Sequence, residues 1–116
     1  MSCLFNSLSY HHPGISSSRM RHMICDFLSS NPPLIDNIRA GEWISWAGSD
    51  LKEYTRIMRS PNTWGGAIEI RAYCLIFRRS LHVHVVKNGR VVEFLLTKDS
   101  PVTRVVWSGN HFEPKR

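Results

Sequence analysis

Residues 81–96 read LHVHVVKNGRVVEFLL, two β-branched runs either side of Asn88-Gly89. Asn-Gly is the preferred pair for a two-residue type I′ turn, in which both positions need positive φ. The stretch therefore predicts a β-hairpin hinged at Asn88 and Gly89. TRVVW and NHFE, around the turn signal Ser108-Gly109, predict two further short strands.

Upstream of residue 80 the pattern is helical. Residues 3–10 suit a short helix, broken by Pro13-Gly14. Ser16 to Ser18 offer N-cap oxygens, and Met20, Met23, Ile24, Phe27 and Leu28 recur at helical spacing, so a helix is expected over about residues 18–29. SDLKEYTRIMRSP reads as another helix, capped by Ser49 or Asp50, with Glu53 three residues after Asp50, and stopped at Ser60-Pro61. AIEIRAYCLIFRR is a strongly apolar helix whose core face would include Ile68, Ala72, Leu75 and Ile76. LIDNIRAGEWISWAG is ambiguous, one short helix followed by a loop. Helices first and antiparallel strands last give an α+β architecture, a mostly antiparallel sheet packed between helices.

At 116 residues the chain is long enough for one hydrophobic core and too short for two. Its 42% hydrophobic and 21% charged residues are ordinary for a globular protein. Apolar runs such as YCLIF and FLL fall far short of the roughly 20 residues a membrane span needs, and no basic-then-apolar leader opens the sequence, so no membrane partner is expected. Cys3, Cys25 and Cys74 form an odd set without a CxxC pair, which weighs against a disulfide framework or zinc cluster and suits a reducing compartment, the cytoplasm. The net charge of +6 is spread over Arg19 and Arg21, Arg56 and Arg59, Arg78 and Arg79, and Lys115 and Arg116. No basic strand interleaved with aromatics accompanies it, so nucleic acid is not the favoured partner. His82 and His84 share a strand face, but no third ligand has suitable spacing, and no metal or cofactor is expected. His11 and His12 fall in a turn and read as solvated. Trp43 and Trp46 fit core or loop packing better than a partner surface.

The residues also suggest chemistry. Cys3 would open a helix, where unpaired N–H groups and the helix dipole favour a thiolate. His111 lies in a strand-like segment at the far end of the chain. A Cys and a His far apart in sequence are the raw material of thiol proteases. Glu113, two positions beyond His111 in a strand, would share its face and could orient the imidazole. Six histidines and three cysteines allow many pairings, and the residues alone do not choose among them.

SCLFNSL resembles the nucleophile motif of the OTU (ovarian tumour) cysteine proteases, in which an Asp-Gly-x-Cys-Leu/Phe-Phe stretch opens the catalytic helix. TWGGAIEIRAYCLIF is similar to that family's Trp-Gly-Gly segment and following helix, with its Glu and Ala at Glu69 and Ala72. LHVHVV resembles the next strand, and GNHFE the family's Asn-His-Tyr/Phe-Asp/Asn ending. The four blocks keep their order across residues 3–113.

The resemblance implies a papain-related fold, with residues 1–116 forming a single OTU-like catalytic domain shortened at its N-terminus. It implies Cys3 as nucleophile, His111 as general base and Glu113 as third member, where the family has Asp or Asn. Trp64, Gly65 and Gly66 would line a narrow substrate channel, and Asn110 would stand beside it. The implied activity is thiol-dependent hydrolysis of isopeptide bonds after the Gly-Gly tail of ubiquitin or ubiquitin-like proteins. Two other readings stay open: a viral protease cutting its own polyprotein in the host cytoplasm, and a catalytically weak module that only binds ubiquitin. The chain departs from the motif upstream, where only Met1 and Ser2 stand in place of the Asp-Gly whose backbone helps hold the oxyanion. Activity is then expected to be low, or to depend on a longer parent chain.

Overall fold

A computed structural model describes residues 3–115. Helix α1 spans Cys3–Tyr10 and buries Leu4, Phe5 and Leu8 completely. The chain then turns through Gly14, at φ +93°, into α2, Ser17–Ser29. Of the serines offered as caps it is Ser16 that caps α2, its Oγ accepting from the Arg19 N–H at 3.1 Å. Met20, Ile24 and Leu28 form its buried face, while Met23 and Phe27 are only half-buried.

The ambiguous segment after α2 holds a hairpin that the sequence reading did not foresee. Strands β1, Pro33–Ile35, and β2, Ile38–Arg39, pair antiparallel through Asp36 and Asn37, at φ 51° and 65°. Short polar Asp and Asn side chains make this left-handed backbone tolerable, so the turn needs no glycine. The helix of that segment follows the hairpin as α3, Ala40–Trp46. Asn31, also left-handed, joins α2 to α3: its N–H donates to Leu28 O at 2.9 Å and its Oδ1 accepts from Gly41 N at 2.8 Å.

Helix α4, Leu51–Met58, is capped by Asp50, whose Oδ1 accepts from Glu53 N at 2.8 Å, while the Glu53 carboxylate pairs with Arg56. Helix α5, Ala67–Phe77, buries Glu69, Ile70, Ala72, Tyr73 and Cys74. Of the expected core face only Ala72 is fully buried; Ile68, Leu75 and Ile76 are half-buried. A helix apolar on nearly every side gives periodicity no face to select, and here two polar residues with partners turn inward.

The main sheet contains β3, Ser80–Val85, β4, Val91–Phe94, β5, Val102–Trp107, and β6, Phe112–Pro114, in the order β4-β3-β5-β6. The outer pairings are antiparallel, but the central β3–β5 pairing is parallel, from Ser80↔Val102 to Val85↔Trp107. Residues 95–101 make this possible by crossing only the start of β3. Buried Ser80 fastens the crossing, its Oγ accepting from Leu96 N and its N–H donating to Pro101 O, both at 2.9 Å. The β3–β4 hairpin forms where expected, with a different turn. Val85 N–H donates to Arg90 O at 2.8 Å, so the loop covers residues 86–89, and only Gly89 has positive φ. Asn88 contributes its side chain instead, Oδ1 accepting from Arg90 N at 2.9 Å.

One core joins these layers. Leu4, Phe5 and Leu8 meet Met20, Ile24 and Leu28, then Ile70 and Tyr73, then Leu81, Val83 and Val105. Helix α5 packs on β3 and β4, and α1 lies against β6 and β5. Among the described residues no helix is long and apolar enough to cross a membrane.

Candidate active site

The burial of Leu4, Phe5 and Leu8 fixes how α1 rolls, and so directs its other face outward. That face carries Cys3, Asn6 and Tyr10, spaced i, i+3, i+7, with the buried Ser7 beside them. Ser7 Oγ donates to the Cys3 carbonyl at 2.8 Å within the helix. Cys3 is half-buried, whereas Cys25 and Cys74 are fully enclosed and burial pushes both of their thiols up to about 11. Those two remain neutral apolar filler. Cys3 is the thiol that opens to the surface.

His111 arrives from the other end of the chain. Gly109, at φ +103°, lets β5 turn back into β6. Ser108 closes that turn, its N–H and Oγ donating to the His111 carbonyl at 3.0 and 3.2 Å. The Trp107 and Phe112 rings pack 4.7 Å apart across the strand pair and stiffen the base of the turn. Asn110 serves the turn rather than the site: its Oδ1 accepts from Ser108 Oγ at 3.4 Å, and it does not line the cleft.

Cys3 and His111 line a single cleft of about 640 Å³, together with Asn6, Tyr10, Val106, Phe112 and Glu113. The docking of α1 along β6 brings them together. Glu113 Oε1 lies 3.8 Å from His111 Nε2, with both side chains about half exposed. That separation allows ionic attraction but exceeds a hydrogen bond.

The Trp64-Gly65-Gly66 segment sits behind α1, with Gly65 against Leu4 and Phe5. A Cβ on Gly65 would lie 2.7 Å from Leu4 Cδ2 and 3.1 Å from the Phe5 ring, so only glycine fits there without displacement. Gly66 is the N-cap of α5, its N–H donating to Glu69 Oε1 at 2.8 Å, and Tyr54 donates its phenolic O–H to Glu69 Oε2 at 2.6 Å. Glu69 is 1% exposed, and burial pushes its carboxyl up, against those two donors and the Arg21 charge. The Arg21 guanidinium lies 4.2 Å from the Phe5 ring centre and donates to Met58 O at 2.7 Å. The Trp64 indole is half exposed and is not part of the Cys3–His111 cleft.

Asn6 and Tyr10 in the cleft, and Tyr54 behind it, escaped the sequence reading. The first two were visible as the polar stripe of α1 beginning at Cys3; nothing local marks Tyr54. His82 Nε2 meets Glu93 Oε2 at 3.1 Å across β3 and β4, and among the described residues no three His, Cys, Asp or Glu side chains gather as metal ligands. The oxyanion loop expected at Met1 and Ser2 lies outside the described residues.

A family model described as OTU-like cysteine protease matches residues 2–104 of the chain. The ubiquitin thioesterase OTU1 of Danio rerio is 27% identical over 121 residues, 97% of this chain and 37% of that protein. The chain thus spans about a third of the length of the curated relatives it matches. Among solved structures, the Hazara virus OTU bound to ubiquitin overlays with a TM-score of 0.77 at 20% identity, covering 99% of this chain and 74% of that one. An ovarian tumour domain in complex with ubiquitin gives 0.76 at 20% identity, covering 97% and 62%. At such identities the overlays establish a common fold.

Proposed function

The chain belongs to the OTU-like cysteine protease family, and on that premise we propose that it is a thiol-dependent deubiquitinase, with Cys3 as nucleophile and His111 as general base. One observation carries the assignment of residues: the half-buried thiol at the head of α1 and the imidazole before β6 line the same cleft from opposite ends of the chain. The ubiquitin bound in two solved relatives of the same fold supports ubiquitin as the partner.

In the proposed reaction His111 accepts the Sγ proton and the thiolate attacks the isopeptide carbonyl. The negative charge passes to the carbonyl oxygen, where the Cys3 N–H at the helix start is the donor at hand. Collapse breaks the C–N bond, and His111 returns the proton to the departing lysine amine. Water, deprotonated by the same imidazole, then cleaves the thioester and regenerates the thiol. The proposal extends to ubiquitin-like conjugates and to a reducing compartment, the cytoplasm, where the buried Cys25 and Cys74 thiols would stay as found.

A ubiquitin carrying an electrophile at its C-terminus tests this. Covalent capture is expected, abolished by Cys3→Ala and strongly reduced by His111→Ala. Tight binding without capture would leave a ubiquitin-binding module. No binding, with cleavage of a peptide flanking the domain in a parent chain, would leave a polyprotein protease.

A further inference from the structure

The loop that closes α1 carries two histidines with no part in the chemistry at Cys3, yet both are bonded to other elements. His12 Nε2 lies 2.6 Å from Tyr73 Oη on α5. Tyr73 Oη lies 2.7 Å from Thr103 Oγ1 on β5, to which Arg79 Nε donates at 2.6 Å. The His12 ring also packs on Phe77, with centroids 4.3 Å apart. Its neighbour His11 places Nε2 2.9 Å from the carbonyl of Arg104, the residue after Thr103. Adjacent residues at the end of α1 are thus tied to adjacent residues of β5. Beyond Trp107 and the Gly109 turn, β5 leads to His111.

Resting on the reading of Cys3 and His111 as nucleophile and base, we infer that His12, through Tyr73, is a positioning residue: a clasp that sets the angle between the nucleophile helix and the strand leading to the imidazole. The leverage is geometric. Eight helical residues span about 12 Å, so a tilt of about 5° at the clasp moves the head of α1 by about 1 Å. A misplacement of about 1 Å can cost on the order of a hundredfold in rate.

The clasp has a polarity. Arg79 can only donate, so Thr103 Oγ1 accepts from it. The buried hydroxyls are all satisfied when Thr103 donates to Tyr73 and Tyr73 donates to a neutral His12 Nε2. A proton on Nε2 reverses the last two bonds and leaves the Thr103 hydroxyl hydrogen without a partner. Burial, then the Arg79 charge, then His11 all hold His12 below its ordinary protonation range. Tyr73 is held neutral, its phenol pushed up chiefly by burial. The groups facing His12 are Tyr73 and Phe77 from α5, Arg79 and Thr103 beyond it, and His11 alongside. The clasp is therefore fully satisfied at neutral pH and weakened in acid, where one buried hydroxyl hydrogen loses its acceptor.

Hydrolysis of a fluorogenic ubiquitin C-terminal amide, followed across pH in the parent, His12→Phe, Tyr73→Phe and the double variant, tests the clasp. Each single variant should lose about tenfold in kcat at neutral pH with KM within about twofold, and the double variant should lose no more than either single one. His12→Phe, which keeps the ring packing, should also show a shallower acid limb than the parent. Unchanged kcat, losses that multiply, or an acid limb identical to the parent's would overturn the inference. If His12→Phe fails to fold, Tyr73→Phe, which removes one oxygen, decides. A parent inert towards the electrophilic ubiquitin sinks the enzymatic reading instead. Amide exchange along Cys3–Tyr10 then judges the clasp alone, with protection lost in acid by the parent and already low at neutral pH in Tyr73→Phe as the supporting result, and equal protection as the refuting one.

Discussion

A Cβ at position 65 would lie 2.7 Å from Leu4 Cδ2, next to Cys3 at the head of α1. Leu4 and Phe5 are almost fully enclosed, so either can shift only by moving its neighbours in the core. Gly65→Ala should therefore push α1 rather than its own loop. A loss of about 1–3 kcal/mol, the usual range for overpacking, is expected in urea denaturation. Electrophile capture at Cys3 should slow as well. Full stability with full capture would show that loop and helix yield independently.

Tyr54 and Glu69 carry the same linkage further back. Tyr54→Phe leaves one oxygen of an enclosed carboxylate short of a donor, which should cost about 1–3 kcal/mol. Thermal or urea unfolding reads this directly, and a cost near zero would mean that Glu69 finds another partner.

Replacing the charge has a different signature. Burial raises the Glu69 carboxyl, so the folded chain favours its protonated form. Stability from this group is complete below the unfolded value of about 4.3 and is lost as pH rises through the raised folded value. Glu69→Gln can still accept from Gly66 and bond with Tyr54, and it carries no charge to bury. Measured from about pH 4 upward, the stability difference should move in favour of the variant. A difference independent of pH would place Glu69 in the same ionisation state folded and unfolded.

How much of this was legible in the sequence depends on the distance over which each feature is determined. Ser16 and Asp50 were readable as caps because a cap is decided within three residues. The helix at Cys3 and the strand at NHFE were readable from local punctuation, the turn signals Pro13-Gly14 and Ser108-Gly109. The buried face of α5 was not, since AIEIRAYCLIF is apolar around most of its circumference and the choice falls to Tyr54 and Thr103, distant partners of Glu69 and Tyr73. The parallel β3–β5 pairing was hidden for the same reason: it depends on Ser80 holding the crossing at Leu96 and Pro101. Asp36-Asn37 was a readable turn signal, masked by the helical residues just after it. Cys3 and His111 could be paired only through the order of the neighbouring blocks, because the docking of α1 on β6 leaves no periodicity in either segment.

His12 gives the opposite sign from Glu69. Its lowered protonation means that its contribution to stability is complete above the unfolded value of about 6.5 and is lost as pH falls through the folded value. The stability deficit of His12→Phe, measured in urea at about pH 7.5, should therefore shrink as the pH falls below about 6. A deficit that stays constant would mean that the imidazole titrates alike in the folded and unfolded chain.

Glu113 is the weakest member of the candidate site, for reasons of geometry. In a buried triad the acid is hydrogen-bonded to the imidazole, and its neutralisation costs about ten-thousandfold in kcat. Here the separation is 3.8 Å and both side chains are about half exposed to water, so the attraction is screened and the ring only loosely held. Glu113→Gln should accordingly lower kcat/KM by no more than about tenfold, and added salt should narrow the gap between variant and parent. That outcome would fit the proposed Cys3–His111 pair with Glu113 merely assisting. A loss of about a thousandfold or more, insensitive to salt, would instead mean that substrate binding draws Glu113 into a dry hydrogen bond with His111.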